Sequence, residues 1–106
     1  MPEIDLNKIV TEKQLEAQVK QLAKLGGWEH YHTYNSIHSE KGFPDDVMVK
    51  GNRLLFAELK RQYGKVTREQ QHWLDILASI PAVEVYLWRP GDYEEIRKVL
   101  LGEKID

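Results

Sequence analysis

Asp45, Glu58 and Lys60 are of the residue types that hydrolytic chemistry on phosphate esters uses. Glu58 and Lys60 end the apolar run Leu54-Leu55-Phe56-Ala57, which reads as a buried strand, so polarity changes abruptly there. Side chains alternate along a strand, which puts Glu58 and Lys60 on one face and Leu59 on the other. Charges at the end of a buried strand are costly to desolvate unless they pair with each other or hold a cation. A salt bridge accounts for an isolated Glu-x-Lys triplet. The segment Gly42-Phe43-Pro44-Asp45-Asp46 adds a carboxylate at a strand entrance, behind a proline that fixes the backbone. Hairpin pairing of the two strands brings Asp45 toward Glu58. Alternation turns only one of Asp45 and Asp46 that way, and Asp45 is the expected one. Two carboxylates beside a lysine make a hard oxygen site suited to Mg2+ or Mn2+, ions that activate water and neutralise charge at phosphorus.

The combined series Gly42-Phe43-Pro44-Asp45, Glu58-Leu59-Lys60 and Glu69-Gln70-Gln71-His72-Trp73 resembles the VRR-NUC nucleases of the PD-(D/E)xK superfamily. The resemblance runs from the helix containing Glu12 to Leu87-Trp88-Arg89-Pro90 and is to the stand-alone, phage-type form, similar to Holliday-junction resolvases. It implies a restriction-endonuclease-like core in which Asp45 and Glu58 are metal ligands and the Leu59 carbonyl completes the site. Lys60 would then orient or polarise the attacking water, and Gln70 would assist from the following helix. A glutamate on the first helix also belongs to the pattern; Glu12 fits that position best, and Glu16 one turn later competes. The implied activity is Mg2+- or Mn2+-dependent hydrolysis of phosphodiester bonds in DNA, with branched structures such as junctions or flaps preferred. A homodimer would place two active sites on two strands. Two other readings are a non-catalytic nucleic-acid-binding module on the same scaffold and a toxin-like or restriction-type nuclease.

Lys41, Arg61, Lys65 and Arg68 are candidate phosphate contacts, with His32 and Ser36 near the substrate groove. Gly64-Lys65-Val66-Thr67-Arg68 leads into a helix, where backbone amides and the two cations suit a phosphate as well as they suit an ordinary capped loop. His30 and His32 share a strand face, but no third ligand stands at a recognisable spacing, so polar or phosphate-contacting roles are expected over a zinc site. Trp73 and Trp88 are expected in the core rather than as base-stacking platforms.

The elements that must position these residues follow from periodicity and punctuation. Leu15, Val19, Leu22 and Ala23 mark a helix from about Thr11 to Leu25, ended by Gly26-Gly27. Trp28 to Tyr34 reads as a strand leading into a polar loop at Asn35 to Gly42. Val47-Met48-Val49 and Leu54 to Leu59 form a hairpin around Lys50-Gly51-Asn52-Arg53. Thr67 with Gln70 opens a second helix over about Arg68 to Ser79, Val83 to Trp88 is a fourth strand, and Tyr93, Ile96, Val99 and Leu100 mark a short last helix. The fold expected is α/β, a mixed sheet flanked by helices in the order αβββαβ plus a C-terminal helix, with the third and fourth strands parallel.

At 106 residues, residues 1–106 are expected to form one domain around one core. Hydrophobic residues at 42% and charged residues at 30% are the proportions of a globular protein, not of a disordered tail or a membrane span. The absence of cysteine excludes disulfides and thiolate metal sites; with no signal-like N-terminal run, a cytoplasmic setting without membrane or organic cofactor is expected. A net charge of -2 argues against a protein that merely coats nucleic acid. Charge is uneven, however: from Lys41 to Arg68 seven bases stand against three acids, or +4, leaving -6 elsewhere. A basic field around a few acids draws in a polyanion while the acids hold cations.

Overall fold

A computed structural model describes residues 4–34 and 40–102. A 3-10 turn at Leu6–Ile9 precedes helix α1, Glu12–Leu25. Strands β1, Glu29–His32, β2, Asp46–Lys50, and β3, Arg53–Leu59, follow. Helix α2, Arg68–Ala78, then leads to strand β4, Val83–Trp88, a second 3-10 turn at Pro90–Asp92, and helix α3, Tyr93–Leu101. The order of helices and strands is the one expected; the two 3-10 turns were not. None of the helices among the described residues is long and apolar enough to cross a membrane.

Both longer helices begin with reciprocal caps. Thr11 accepts from the Gln14 amide at 3.0 Å while Gln14 accepts from the Thr11 amide at 2.9 Å. Thr67 and Gln70 repeat the arrangement at 3.1 and 2.9 Å. Each box satisfies two amides that a helix start leaves without partners.

The four strands form one mixed sheet in the order β1-β2-β3-β4. β1 and β2 are antiparallel with His32 opposite Asp46; β2 and β3 are antiparallel with Asp46 opposite Ala57; β3 and β4 are parallel with Glu58 beside Leu87. One face packs on α1 and α3 through Leu15, Val19, Met48, Leu55, Ile96 and Leu100, all fully buried. On the other face Phe43 lies edge-on to Phe56 and to Trp73 of α2, with ring centroids 5.8 and 5.1 Å apart. Trp88 is buried in the core, whereas Trp73 is only half-buried.

β1 is shorter than the apolar pattern suggests because Trp28 leaves the ladder to fill the core. Its indole Nε1 donates to the Leu100 carbonyl at 2.8 Å, and its ring lies 4.7 Å from the Arg53 guanidinium carbon. Arg53 in turn makes a two-pronged pair with Glu84 of β4, at 2.8 and 2.6 Å.

Gly42 fixes the approach to β2. Its backbone is left-handed, with φ of 92°, and an added Cβ would stand 2.4 Å from the carbonyl carbon of Glu69 in α2. Gly51 in the hairpin turn is also left-handed, with φ of 59°, but an added Cβ would meet nothing within 4 Å. Gly51→Ala should therefore cost about 1–2 kcal/mol for the backbone alone. Gly42→Ala should cost more than that because α2 must also shift. Urea unfolding of the two variants checks the ranking, and equal losses would mean that Gly42 does not set the spacing between α2 and β2.

Candidate metal and phosphoester site

The chain enters β2 through Pro44, which is buried, and this brings the Asp45 side chain to the end of β3. The Leu59 amide donates to Asp45 Oδ2 at 2.8 Å. Glu58, in the same stretch of β3, is 2% exposed, and its Oε2 lies 3.8 Å from Lys60 Nζ. Its other oxygen, Oε1, is buried without a hydrogen-bond partner. Burial pushes the Glu58 carboxyl from the ordinary 4.5 up to about 8; the charge of Asp45 adds to the rise and Lys60 opposes it. Burial likewise raises Asp45, while the Leu59 amide pulls it back. The structure thus brings Asp45, Glu58 and Lys60 together. The two acids are short of positive charge, the state in which carboxylates take up a proton or a cation.

A cleft of about 210 Å³ beside them is lined by Glu12, Lys13, Glu16, His32, Asp45 and Leu59. Both first-helix glutamates reach it, but in different surroundings. Glu12 is exposed at the first turn of α1, while Glu16 one turn on is half-buried against β1 and β2. Leu59 borders this cleft at the end of its strand.

Asp46 faces the other way. It is fully buried on the α1 side, where His30 Nε2 contacts its Oδ1 and His32 Nδ1 lies 3.5 Å from the same oxygen. His32 Nδ1 also contacts Glu16. Burial, then the charge of Asp46, pushes Glu16 up to about 9. One ligand atom each from Glu16, His32 and Asp46 lies within 4.8 Å of the others. The sequence shows that His30 and His32 share a face and offers Glu16 as the competitor of Glu12, but the gathering of Glu16 and His32 around Asp46 was missed. The signal for Asp46 is its place as the second of two consecutive acids, which alternation sends to the face opposite Asp45.

The other residues expected at the site are dispersed. The Gln70 carboxamide oxygen is engaged in the α2 cap, and Gln70 does not line the cleft. Lys41 and Arg68 border a separate groove of about 400 Å³ with Glu69, His72 and Trp73. Arg61 donates to the Lys8 carbonyl at 3.1 Å in another groove, and Lys65 is exposed in the turn before α2. Ser36 lies outside the described residues. Next to Arg61, Arg89 Nη1 donates to three carbonyls, those of Arg61, Gln62 and Gly64, at 2.8, 3.2 and 2.8 Å.

No protein-family model, curated protein or solved structure matches this chain.

The raised acids give a pH dependence with a definite sign. Glu58 and Glu16 bind protons more tightly folded than unfolded, so their contribution to stability is full below 4.5 and is lost as pH rises through about 8 and about 9. In EDTA the protein should therefore become less stable to urea between about pH 5 and about pH 9. Glu58→Gln should flatten that decline and raise stability at the alkaline end; an unchanged slope would show that the Glu58 carboxyl titrates normally.

Proposed function

We propose that this chain is a metal-dependent nuclease hydrolysing phosphodiester bonds in DNA, on a restriction-endonuclease-like core of the VRR-NUC type. The observation that carries the reading is Glu58: a carboxylate 2% exposed, with one oxygen unpartnered, beside Asp45 and Lys60. A structural salt bridge would leave neither the second Glu58 oxygen nor the neighbouring acid without compensation. A divalent cation would be held by Asp45 and Glu58, with the Leu59 carbonyl and Glu12 at the cleft edge. Mg2+ and Mn2+ suit this oxygen-rich set. The unpartnered Glu58 Oε1 and the raised proton affinity of both carboxyls fit such an ion. When bound, the ion would supply a polarised water and offset charge on the phosphoryl oxygens.

The chain's own residues do the rest. The Leu59 amide holds Asp45 Oδ2 at 2.8 Å and so fixes which way its carboxylate faces. Lys60 Nζ, 3.8 Å from Glu58, is placed to orient the attacking water and to stabilise the charge that develops on phosphate. Among the described residues the cleft lining offers no serine or cysteine, and direct attack by water is the route favoured. Lys13, on the same lining, and Lys60 beside Glu58 supply the attraction for a polyanion. The resemblance in sequence adds branched DNA as the preferred substrate and a homodimer as the acting species.

Labelled four-way-junction, flap and linear duplex DNA, incubated with Mg2+, Mn2+ or EDTA, test this reading. Metal-dependent cutting is expected, with loss of at least about a hundredfold in Glu58→Ala and in Lys60→Ala. Lys60→Ala should keep most of its metal affinity, while Asp45→Ala should lose both cutting and affinity. Full activity of Lys60→Ala would remove its proposed role. Binding of DNA without any cutting would favour a non-catalytic module on the same fold.

A further inference from the structure

Asp46 gathers with Glu16 and His32 on the α1 side; Glu16 and His32 border the cleft next to Asp45, and none of the three holds the Mg2+ or Mn2+ ion proposed above. Asp46 is 0% exposed, and its Oδ2 is buried with no hydrogen-bond partner. Neither Glu16 oxygen nor His32 Nδ1 makes a hydrogen bond of acceptable geometry, although these atoms lie against one another. Asp46, fully buried, and Glu16, half-buried with both oxygens covered, therefore face one imidazole with spare lone pairs, and the three come from three elements, α1, β1 and β2. Buried charge of this kind is costly unless it is paired or coordinates a metal.

We propose that Glu16, His32 and Asp46 form a second cation site, selective for a first-row transition-metal dication of the Zn2+ class over Mg2+. Selectivity follows from the donors, because imidazole nitrogen suits Zn2+ and its neighbours, whereas Mg2+ requires oxygen ligands and retains its waters. His30 is a positioning residue. Its Nε2 contacts Asp46 Oδ1, which leaves Oδ2 for the cation, an outer-shell arrangement common at protein metal sites. A groove of about 320 Å³ lined by Glu16, Lys20, His30, Tyr31, His32 and Tyr34 provides a path from solvent. Three protein donors leave a coordination position for water. The bound ion would clamp α1 to the β1–β2 edge and offset the charge that otherwise raises Glu16.

The test uses the full chain carrying Asp45→Asn and Glu58→Gln, which removes the proposed catalytic pair and separates the two sites. Co2+ is the probe, followed by its visible d–d absorption. One equivalent is expected to bind, to be displaced by Zn2+ and to resist excess Mg2+. Adding Glu16→Gln or His32→Gln should each weaken Co2+ binding at least about tenfold. In the unsubstituted protein, Zn2+ should shift the His32 Nδ1 resonance, a readout that stands even if a variant fails to fold. Absence of Co2+ binding in the Asp45→Asn, Glu58→Gln chain, unchanged affinity in both further variants, or a silent His32 resonance would each overturn the site. None of these outcomes bears on cleavage in Mg2+, so the nuclease reading stands or falls separately.

Discussion

The hydrogen bond from the Leu59 amide to the Asp45 carboxylate closes the β2–β3 pair just beyond its last matched residues, Asp46 and Ala57. It ties the entrance of one strand to the exit of its neighbour through a side chain, where Pro44 has no amide to offer. Once that link is set, the pleat dictates the rest. Asp45 stays with Glu58 and Lys60, and Asp46 is committed to the helix α1 side with His30 and His32. The two acidic centres are therefore products of one backbone placement and meet at the cleft that Glu16, His32 and Asp45 line.

The packing on each side explains why acids survive at these buried positions. On the α1 side, Met48, Leu55 and Ala57 build the core below Asp46, and Trp28 seals it by bonding to the end of α3. On the α2 side, Phe43 wedges between Phe56 and Trp73 and holds the Gly42-to-Asp45 segment against the helix. Apolar contacts on both sides provide the stability against which the partly satisfied carboxylates of Glu58 and Asp46 are set, a trade usual at functional sites.

Much of the architecture was legible because it is written in local periodicity. The apolar spacing of α1, the capping pair Thr67 and Gln70, and the turn at Gly51-Asn52 each concern neighbours along the chain. Asp45, Glu58 and Lys60 were legible as a group because a single hairpin relates them. The cluster of Glu16, His32 and Asp46 was not, since it needs a cross-strand register and a helix docking at once, and neither leaves a fixed spacing. Gln70 shows the converse. Its spacing from Thr67 carries a capping signal and a motif signal together, and the structure commits its carboxamide oxygen to the cap.

The single guanidinium of Arg89, bonded to the carbonyls of Arg61, Gln62 and Gly64, has a consequence for time scale. Those carbonyls belong to the residues that follow Lys60, and the Lys60 amide is itself bonded to the Trp88 carbonyl at 3.0 Å. The backbone on both sides of the lysine is thus pinned to the same short stretch of β4 and its exit. What freedom the ammonium keeps lies in its four methylene torsions, which relax by rotamer hops far faster than a loop can open and close. Any adjustment of that charge to an arriving phosphate is accordingly a fast, local event, and the entropy of ordering the surrounding chain has already been spent in folding.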